Sequence, residues 1–501
     1  MKRPANGLCL LLVSVASLGI AGCTSDGPAP DATETSPLRV MQFNIEYGGT
    51  VVDFDSVPAA IDAADADVVA VQEGYASMPK LARALGWKYY DSRTQTVSRY
   101  PLITPVDPSD PQVLVAVEPG RTVAVINVHL PSAPYGPNRA AAGASAEELI
   151  AAEKGRLKAI QPALDAVDRL QREGTPVILT GDFNAPSNLD WTSATDGQRD
   201  QVIPVEWPVS IAVQDTGLTD VYRTVYPDPV VDEGLTWPAS RPRAGTYNPG
   251  PGGKPADRVD QMYVSEGIEV SSAEIVGELS SADTDISVKP WPSDHRAMVA
   301  ELEVPLVEAA PYVAAEQRLV EQGTDVKVFA FADPAPQSVT VTGLDFEERV
   351  SIGGVGSSGS VIVNTSSLAP GTYEVAAKRS DGTTVATSQL WVRAVGAEPK
   401  VATGSSAYRV GEPIDVTWQN APANKWDWLG IYKRGADPNV AYYKLWTYTE
   451  ATVEGAATLD DSVSGGPWPL PPGKYDVLLL ADDSYVELAR TGFVVARAEE
   501  G

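Results

Sequence analysis

Side chains suited to cation binding or proton transfer stand at the ends of apolar stretches at six places in the N-terminal part of the sequence. They are Asn44 and Glu46, Glu73, Asn127 and His129, Asp182 and Asn184, Asp257 and Asp260, and Asp294 and His295. The sequence has 2 histidines, and both belong to this set. Carboxylate and amide oxygens suit a hard divalent cation, and imidazole suits acid–base work. Their joint placement therefore indicates a metal-binding or acid–base site.

One of these stretches is the run VILTGDFN at 177–184, which ends on Asp182 and Asn184. Its branched, continuously apolar start is typical of a strand buried on both faces, and the preceding REGTP is a turn signal. The GDFN end alone is equally consistent with a simple turn, because Asp and Asn hydrogen-bond their own backbone. Only the other strand ends decide between a turn and a functional site.

The elements that must position these side chains alternate between short strands and helices from 38 to about 305. The predicted strands are LRVMQFNI, DVVAVQE, LVAVE, TVAVINVHL, PVILTGDFN, RVDQMYVS and HRAMVAELEV. The clearest helix is ASAEELIAAEKGRLKAIQPALDAVDRLQREG, which we expect to be broken or kinked near Pro162 and to end at Gly174. This pattern predicts an α+β domain with a large sheet content.

The motifs QE, NxHL, GDFN, DRxD and SDH occur in this order between 38 and 304. In this combination the sequence resembles the endonuclease/exonuclease/phosphatase family of metal-dependent phosphoesterases. The resemblance implies the deoxyribonuclease-I-like fold, a four-layer α/β/β/α sandwich. It also implies hydrolysis of a phosphate ester, which needs a cation to neutralise charge, a positioned water and donors to the phosphate oxygens.

By the same resemblance, Glu73 is the principal metal ligand, with Asn44, Glu46 and Asp294 beside it. Mg²⁺ is the expected cation because it prefers oxygen ligands and keeps several waters, and Mn²⁺ or Ca²⁺ is an alternative.

The catalytic set implied by the resemblance consists of His129, Asp182, Asn184, Asp260 and His295. Asp182 and Asn184 orient the attacking water and hold the phosphate, and His129 donates to a phosphate oxygen. His295 is the second cationic or basic group, and it needs a partner that fixes its tautomer. The segment ADRVDQ offers both Asp257 and Asp260 for this purpose, and the family pattern favours Asp260.

Substrate contacts are expected from Asn127 and from a basic loop, RPRAGTYNPGPGGKPADR, at 241–258. Its basic residues are Arg241, Arg243, Lys254 and Arg258. A Gly- and Pro-rich loop of this kind is either simply solvated or receives the anionic substrate. Trp237 lies nearby in the sequence, and it packs beneath this loop or lines the pocket.

The C-terminal part lacks helical periodicity and contains two related segments, LAPGTYEVAAKRSDGTTVATSQLWV and LPPGKYDVLLLADDSYVELARTGFVV. Short strands bounded by turns predict two tandem immunoglobulin-like β-sandwich modules, 305–396 and 397–497. Tyr373 and Tyr475 are expected in their cores or at their corners. The second module has an aromatic-rich insertion with Trp426, Trp428 and Trp446, which serve as core or as a binding surface.

The first 22 residues combine a basic start with an apolar stretch and predict a secretory signal peptide. The run Ile20-Ala21-Gly22-Cys23 resembles the bacterial lipobox, which implies lipidation of Cys23 and a membrane anchor. Residues 23–37 are polar and Pro-rich, which predicts a flexible tether. The other cysteine, Cys9, lies in the segment to be removed, so we expect no disulfide partner. The sequence thus predicts an exported lipoprotein at the cell surface or periplasmic membrane.

Acidic residues outnumber basic ones by 66 to 38, which gives a formal net charge of −28. Such a field repels polyanions, although a local basic patch can still guide a phosphate. We therefore expect a surface-anchored, metal-dependent phosphoesterase that hydrolyses phosphodiesters or phosphomonoesters. The alternatives are a secreted nuclease of the same family and, in another class, an inactive binding or scaffold lipoprotein. Nucleic acid, phospholipid, sugar phosphate and inositol phosphate all stay open as substrates.

Overall fold

The structure is a computed structural model that describes residues 34–107, 110–198, 202–239, 256–279, 284–343, 346–351 and 358–496. The predicted signal peptide, Cys23 and most of the predicted tether lie outside these residues. The first strand begins at Thr35, so the last three tether residues, 35–37, belong to the sheet. In the part of the chain that the structure describes, no helix is long and apolar enough to cross a membrane.

Among the described residues of the N-terminal domain, thirteen strands form two sheets. They are β1 Thr35–Asn44, β2 Val68–Gln72, β3 Tyr89–Asp91, β4 Thr96–Ser98, β5 Leu102–Ile103, β6 Gln112–Glu118, β7 Arg121–His129, β8 Val177–Asp182, β9 Thr219–Asp220, β10 Asp260–Val264, β11 Glu269–Glu278, β12 Ile286–Val288 and β13 Ala297–Pro305. One sheet has seven strands in the order β12-β11-β13-β1-β2-β4-β3, and the other has six in the order β5-β6-β7-β8-β10-β9.

The helices of this domain include four that pack on the outer faces of the two sheets. The described helices are α1 Glu46–Gly49, α2 Ser56–Ala63, α3 Met78–Leu85, α4 Gly136–Ala141, α5 Ala146–Ala152, α6 Lys154–Arg172, α7 Pro208–Asp215 and α8 Val221–Val225. Residues of α2 and α3 pack on the seven-stranded sheet, and residues of α6 and α7 pack on the six-stranded sheet. A third core fills the space between the sheets. The predicted α/β/β/α sandwich is confirmed.

Strand periodicity explains why polar residues point into the space between the sheets. In β1, Leu38 and Val40 belong to the core between the sheets, whereas Met41 and Phe43 pack against the helices. Since successive side chains alternate between the two faces, Gln42 and Asn44 lie on the inner face, beyond Val40. The inner core therefore gives way to polar side chains at one end of the sandwich.

The long predicted helix is broken at a different place from the one expected. A capping box at Ser145 and Glu148 starts α5, and the break comes at Glu153, whose buried carboxylate pairs with Arg156 at 2.6 Å. The helix α6 then continues through Pro162, which lies on its exposed face. There the carbonyl that loses its amide partner can be solvated, so the proline does not end the helix. Gly174 follows the helix end with a φ of 76°, as expected.

Two further β-rich regions follow the N-terminal domain. The first contains β14 Tyr312–Ala315, β15 Leu319–Glu321, β16 Asp325–Phe331, β17 Ser338–Gly343, β18 Phe346–Ser351, β19 Ser358–Asn364, β20 Gly371–Lys378 and β21 Thr384–Arg393. The second contains β22 Lys400–Thr403, β23 Ala407–Arg409, β24 Ile414–Gln419, β25 Trp428–Lys433, β26 Leu445–Tyr448, β27 Gly455–Leu459, β28 Ser464–Gly465, β29 Gly473–Leu480 and β30 Glu487–Ala496. The first has sheets of three and five strands, and the second has sheets of three and six.

Each β-rich region has one apolar core between its two sheets, which is consistent with immunoglobulin-like sandwiches. The Tyr373 hydroxyl donates to the carbonyl of Ala369 at 2.8 Å, and the Tyr475 hydroxyl donates to that of Pro471 at 2.8 Å. Both tyrosines are buried and bond back four residues, so they are core residues as well as corner residues. We call the two regions the first and second β-module.

Candidate active site

The topology brings the predicted residues together at one end of the sandwich. Strands β1 and β2 run parallel, as do β7 and β8, so their carboxyl ends share an edge. Strand β10 is antiparallel to β8, and Asp260 at its start pairs with Asp182 at the end of β8. Strand β13 is antiparallel to β1, which places His295, just before it, at the same edge. We call the space between these strand ends the cleft.

Asp182 lies at the centre of the cleft and is 1% exposed. Its Oδ1 accepts from the backbone amide of Asn184 at 2.8 Å, and its Oδ2 accepts from the side-chain amides of Asn184 and Asn44, each at 3.1 Å. Asn184 has a left-handed φ of 51°, a conformation that asparagine tolerates better than most residues. The GDFN motif thus forms a turn that also fixes a buried carboxylate.

Gly181 allows strands β7 and β8 to approach closely beside Asp182. A Cβ atom at this position would lie 1.9 Å from the carbonyl oxygen of Val128, and the glycine has a φ of 147°. Any side chain here would push β8 away from β7. The glycine therefore helps to keep Asp182 beside His129, its neighbour across the two strands.

His295 is buried and held by Asp260. Its Nδ1 lies 2.9 Å from Oδ2 of Asp260, and the other oxygen of Asp260 accepts from the side-chain amide of Gln42. Burial by itself lowers the pKa of His295, but Asp260 and Asp182 outweigh it and raise that pKa well above its usual range. The structure therefore favours a protonated His295 whose Nε2 lies 3.7 Å from Oδ2 of Asp182.

His129 approaches the same carboxylate from the other side. Its Nε2 lies 3.5 Å from Oδ2 of Asp182, and its side chain is 32% exposed, so it borders the opening of the cleft. Burial raises the pKa of Asp182, the two imidazoles lower it and Asp260 raises it further, with a net increase. The two histidines of the chain thus converge on one carboxylate.

A second set of hydrogen bonds links Glu73, which follows β2, to Asn44 and to the segment after β1. The Oε1 of Glu73 accepts from the side chain of Asn44 at 3.3 Å and its Oε2 accepts from the backbone amide of Tyr47 at 2.9 Å. The oxygen of the Asn44 amide accepts from the backbone amide of Glu46 at 3.1 Å, and a Glu46 oxygen accepts from that of Asp294 at 3.1 Å. Glu73 and Glu46 have left-handed φ angles of 54° and 52°, and backbone strain of this kind is concentrated at functional sites.

The carboxylates of these residues are of the kind that a hard divalent cation prefers. Glu73, Glu46 and Asp294 supply carboxylates from three chain segments, and Asn44 orients Glu73 through its amide nitrogen. Asp182, Asp260 and His295 form another group that could hold a metal ion, because their ligand atoms lie within 4.8 Å of one another. In that group, however, Asp260 is already engaged by Gln42 and by the His295 ring.

Several buried polar residues that the sequence did not single out position this site. The Ser293 hydroxyl donates to the carbonyl of Asn44 at 2.6 Å and accepts from the amide of His295 at 3.0 Å. Gln42 donates to Gln72 at 2.7 Å as well as to Asp260. The signal was present in the sequence, because a glutamine pointing inward from an apolar strand needs a polar partner there.

The prediction that Asn127 contacts substrate is wrong, because its side chain is buried in the sheet interior. It donates to the carbonyl of Val71 at 2.8 Å and to that of Thr94 at 2.9 Å, and its oxygen accepts from Gln72 at 2.7 Å. Only 4% of Asn127 is exposed. The residue therefore ties β7 to β2 behind the cleft.

Arg258 is likewise not available to a substrate, which corrects its assignment to the substrate-binding set. Its guanidinium pairs with Asp190 at 3.0 Å and with Asp220 at 2.8 Å, and its side chain is 0% exposed. Asp257 is also buried and accepts from the indole of Trp191 at 2.7 Å. The DRxD segment therefore contributes Asp260 to the cleft and its first two residues to the core.

The remaining residues of the predicted basic loop, Arg241, Arg243 and Lys254, lie outside the described residues. Trp237 lies beside the cleft. Its indole donates to Asp294 at 3.3 Å, and its ring centroid lies 6.2 Å from that of His295. This contact supports the prediction that Trp237 lines the pocket.

A family model for the endonuclease/exonuclease/phosphatase family matches residues 41–295. An uncharacterized protein from Caenorhabditis elegans is 29% identical over 254 residues, which span 45% of this chain and 78% of that protein.

Solved structures similar to this chain include an endonuclease/exonuclease/phosphatase protein from Beutenbergia cavernae, at 18% identity and a TM-score of 0.34, covering 71% of this chain and 99% of that one. A mannosyl-6-phosphatase from Bacteroides thetaiotaomicron is 15% identical with a TM-score of 0.33, covering 53% and 99%. D. rerio TDP2 complexed with a single-strand DNA product is 14% identical with a TM-score of 0.33, covering 53% and 99%.

Proposed function

The chain belongs to the endonuclease/exonuclease/phosphatase family, and we propose that it is a divalent-metal-dependent phosphoesterase that hydrolyses phosphodiester or phosphomonoester bonds in the cleft. The observation that carries this proposal is the convergence of both histidines on Asp182, beside the hydrogen bonds that link Glu73 to Asn44. A site with one fixed carboxylate, two imidazoles and an oxygen-rich edge has the groups that phosphate ester hydrolysis requires.

Glu73 would hold the cation, with Glu46 and Asp294 beside it, and Mg²⁺ is the ion that this oxygen donor set suits best. When bound, the cation supplies positive charge that offsets the charge of the phosphate. Asn44 donates to both Glu73 and Asp182, so it fixes the separation of the metal-binding edge and the catalytic carboxylate.

The protein residues provide proton transfer and orientation. Asp182 is held by donors on both of its oxygens, so its remaining acceptor capacity is aimed into the cleft, where it can orient an attacking water. His129 borders the opening and can donate from Nε2 to a phosphate oxygen. The Nδ1 of His295 contacts Asp260, so its Nε2 can likewise donate to a phosphate oxygen. Both imidazoles therefore face the place where negative charge develops.

We also propose that the enzyme acts outside the cytoplasm as a lipoprotein anchored through Cys23. The support is the lipobox-like run before this cysteine and the polar segment after it. A nuclease activity is less consistent with the net charge of −28, because an acidic surface repels a polynucleotide.

The test is ester hydrolysis by the purified protein, with Mg²⁺ or with EDTA. The readouts are release of 4-nitrophenol from 4-nitrophenyl phosphate and from bis(4-nitrophenyl) phosphate, release of the headgroup from phospholipid vesicles, and strand cleavage of plasmid DNA. We expect metal-dependent turnover of at least one ester, which is lost in Glu73→Gln and in His295→Ala. Glu269→Gln, an exposed acid at the start of β11, is the matched control and is expected to keep full activity. Absence of turnover with every ester would contradict the proposed function and favour a binding or scaffold role.

A further inference from the structure

The second β-module reaches the catalytic domain close to Glu73. Asp482, in the loop between β29 and β30, accepts from the backbone amide of Ala76 at 2.7 Å and from the side chain of Gln95 at 3.3 Å. The backbone amide of Lys425 donates to the carbonyl of Ser92 at 3.2 Å. A loop of the C-terminal module is thus bonded to the loop that begins with Glu73.

Asp482 is a buried residue that several hydrogen bonds hold in place on both sides of the contact. Its carboxylate is 1% exposed and also accepts from the backbone amide of Trp426 at 3.0 Å, and its own amide donates to Asp427 at 3.0 Å. Because both sides of the contact are fixed by hydrogen bonds, the position of the next residue, Asp483, is determined relative to the cleft. Asp482 and Asp483 both have left-handed φ angles, of 42° and 58°.

Asp483 follows Asp482 and has an exposed side chain. Partial burial raises the pKa of Asp483, and the hydrogen bond from the Tyr448 hydroxyl lowers it. Of the two nearby charges, His129 lowers this pKa and Glu73 raises it. Tyr448 donates to Asp483 at 3.3 Å and so holds the carboxylate in place. Asp483 therefore adds a negative charge at the side of the cleft where His129 and Glu73 lie.

Uncharged aromatic side chains flank this carboxylate. Tyr47 lies in α1 and Tyr75 lies in the loop after β2, and their rings stack with centroids 5.6 Å apart. On the module side, Trp426 lies 4.9 Å from Tyr448 between ring centroids. The wall therefore combines aromatic surface with the carboxylate of Asp483. The ammonium of Lys425 lies 5.1 Å from the Trp426 ring centroid and interacts with the buried carboxylate of Asp482, so this cation already has an acidic partner.

We propose that the loop Ala481–Val486 forms one wall of the cleft and that Asp483 makes the enzyme select against substrates with an anionic group besides the phosphate to be cleaved. The inference rests on the proposed function. It predicts esters of uncharged or cationic alcohols as the substrate class, and it disfavours bisphosphates and polynucleotide strands, because like charges at short range repel.

Two matched pairs of compounds test this selection in the full-length protein. For turnover, phenyl phosphate is compared with 4-carboxyphenyl phosphate, which adds one carboxylate. For binding, phenylphosphonate is compared with 4-carboxyphenylphosphonate by calorimetry, since phosphonates are not hydrolysed. In Asp483→Asn we expect the preference for the uncarboxylated compound to fall about threefold or more at low ionic strength, and the change to shrink at high salt.

Two further variants separate a charge effect from a structural one. Tyr448→Phe removes the donor that holds Asp483 and is expected to lower the same preference by a smaller factor. Asp461→Asn makes the same charge change in the turn after β27 and is expected to leave the preference unaltered. An effect that is equal for both compounds of a pair would indicate a structural role and overturn the inference.

The binding pair separates the two proposals. If the wild-type protein hydrolyses no ester, the proposed function fails, while the phosphonate affinities still decide the role of Asp483. If esters are hydrolysed but Asp483→Asn keeps the wild-type ratio in both binding and turnover, the inference fails and the proposed function stands.

Discussion

Replacement of Asp260 by asparagine is expected to abolish most of the catalytic activity while it preserves the fold. Asp260 accepts from Gln42 on one oxygen and contacts Nδ1 of His295 with the other at 2.9 Å. In the variant, Gln42 retains the oxygen on its side, so the new amide nitrogen faces the imidazole. A donor in that place requires a lone pair on Nδ1, so the ring is held neutral, and its Nε2 then donates to the phosphate without the positive charge that Asp260 supports.

The magnitude follows from the role and the burial of this pair. His295 is 6% exposed and Asp260 is 0% exposed, so the lost carboxylate charge is not replaced by solvent. A positioned acid–base group contributes about 10²- to 10⁴-fold to a rate, so we expect kcat to fall by about 10²- to 10⁴-fold.

The assay is the Mg²⁺-dependent hydrolysis of bis(4-nitrophenyl) phosphate, with kcat and KM determined separately and thermal unfolding measured on the same samples. Asp62→Asn, on the exposed face of α2, is the matched control and is expected to behave as the wild type. Because the two residues act as a unit, Asp260→Asn should add little to His295→Ala. A kcat within tenfold of the wild type, at an unchanged Tm, would refute the role of the Asp260–His295 pair.

Three more outcomes are expected. Arg258→Met should lower the free energy of unfolding by about 3–5 kcal/mol in urea titrations, because it leaves Asp220 buried without its cation; a loss below about 1 kcal/mol would contradict this. Asp482→Asn should weaken the Mg²⁺ affinity measured by calorimetry, because it loosens the hydrogen bond to Ala76 that fixes the Glu73 loop. An unaltered affinity would show that the Glu73 loop keeps its conformation without this hydrogen bond. Cys23→Ser should release the protein from membranes in cell fractionation and prevent labelling by a radioactive fatty acid, whereas retention of both would argue against a lipid anchor.

The proximity of Asp182 to both histidines could be predicted from the sequence because each stands next to the end of an apolar strand. Alternation along a strand decides which face a side chain occupies, and parallel pairing brings strand ends to one edge. The roles of these residues rest on the family resemblance and stay predictions. The distances between Asp182 and the two histidines could not be predicted. They depend both on the close approach of β7 and β8 at Gly181 and on the order of the strands in two sheets.

Asn127 and Arg258 were misassigned for a different physical reason. Both lie next to residues of the cleft in sequence, but their partners come from distant segments that bury them: Val71 and Thr94 for Asn127, and Asp190 for Arg258. A polar residue in a motif serves the substrate or the scaffold according to the side chains around it, and its own sequence neighbours do not reveal these.

The contact of the second β-module with the Glu73 loop was equally hidden from sequence reasoning. The two partners, Ala76 and Asp482, are 406 positions apart, and neither local stretch has a pattern that points to the other. The sequence did predict the module as a separate β-sandwich, and its core forms as expected. Its position beside the cleft depends on contacts between surfaces whose residues are far apart in the sequence.

The hydrogen bond between Ala76 and Asp482 also sets an order of events in the life of the chain. A ribosome adds the acceptor of this bond long after the donor, so a newly made N-terminal domain lacks this contact until the β29–β30 hairpin has closed. The Glu73 loop gains this support only after Asp482 has been synthesised, and a product that stops before Asp482 would retain the side chains of the cleft with one support of that loop missing.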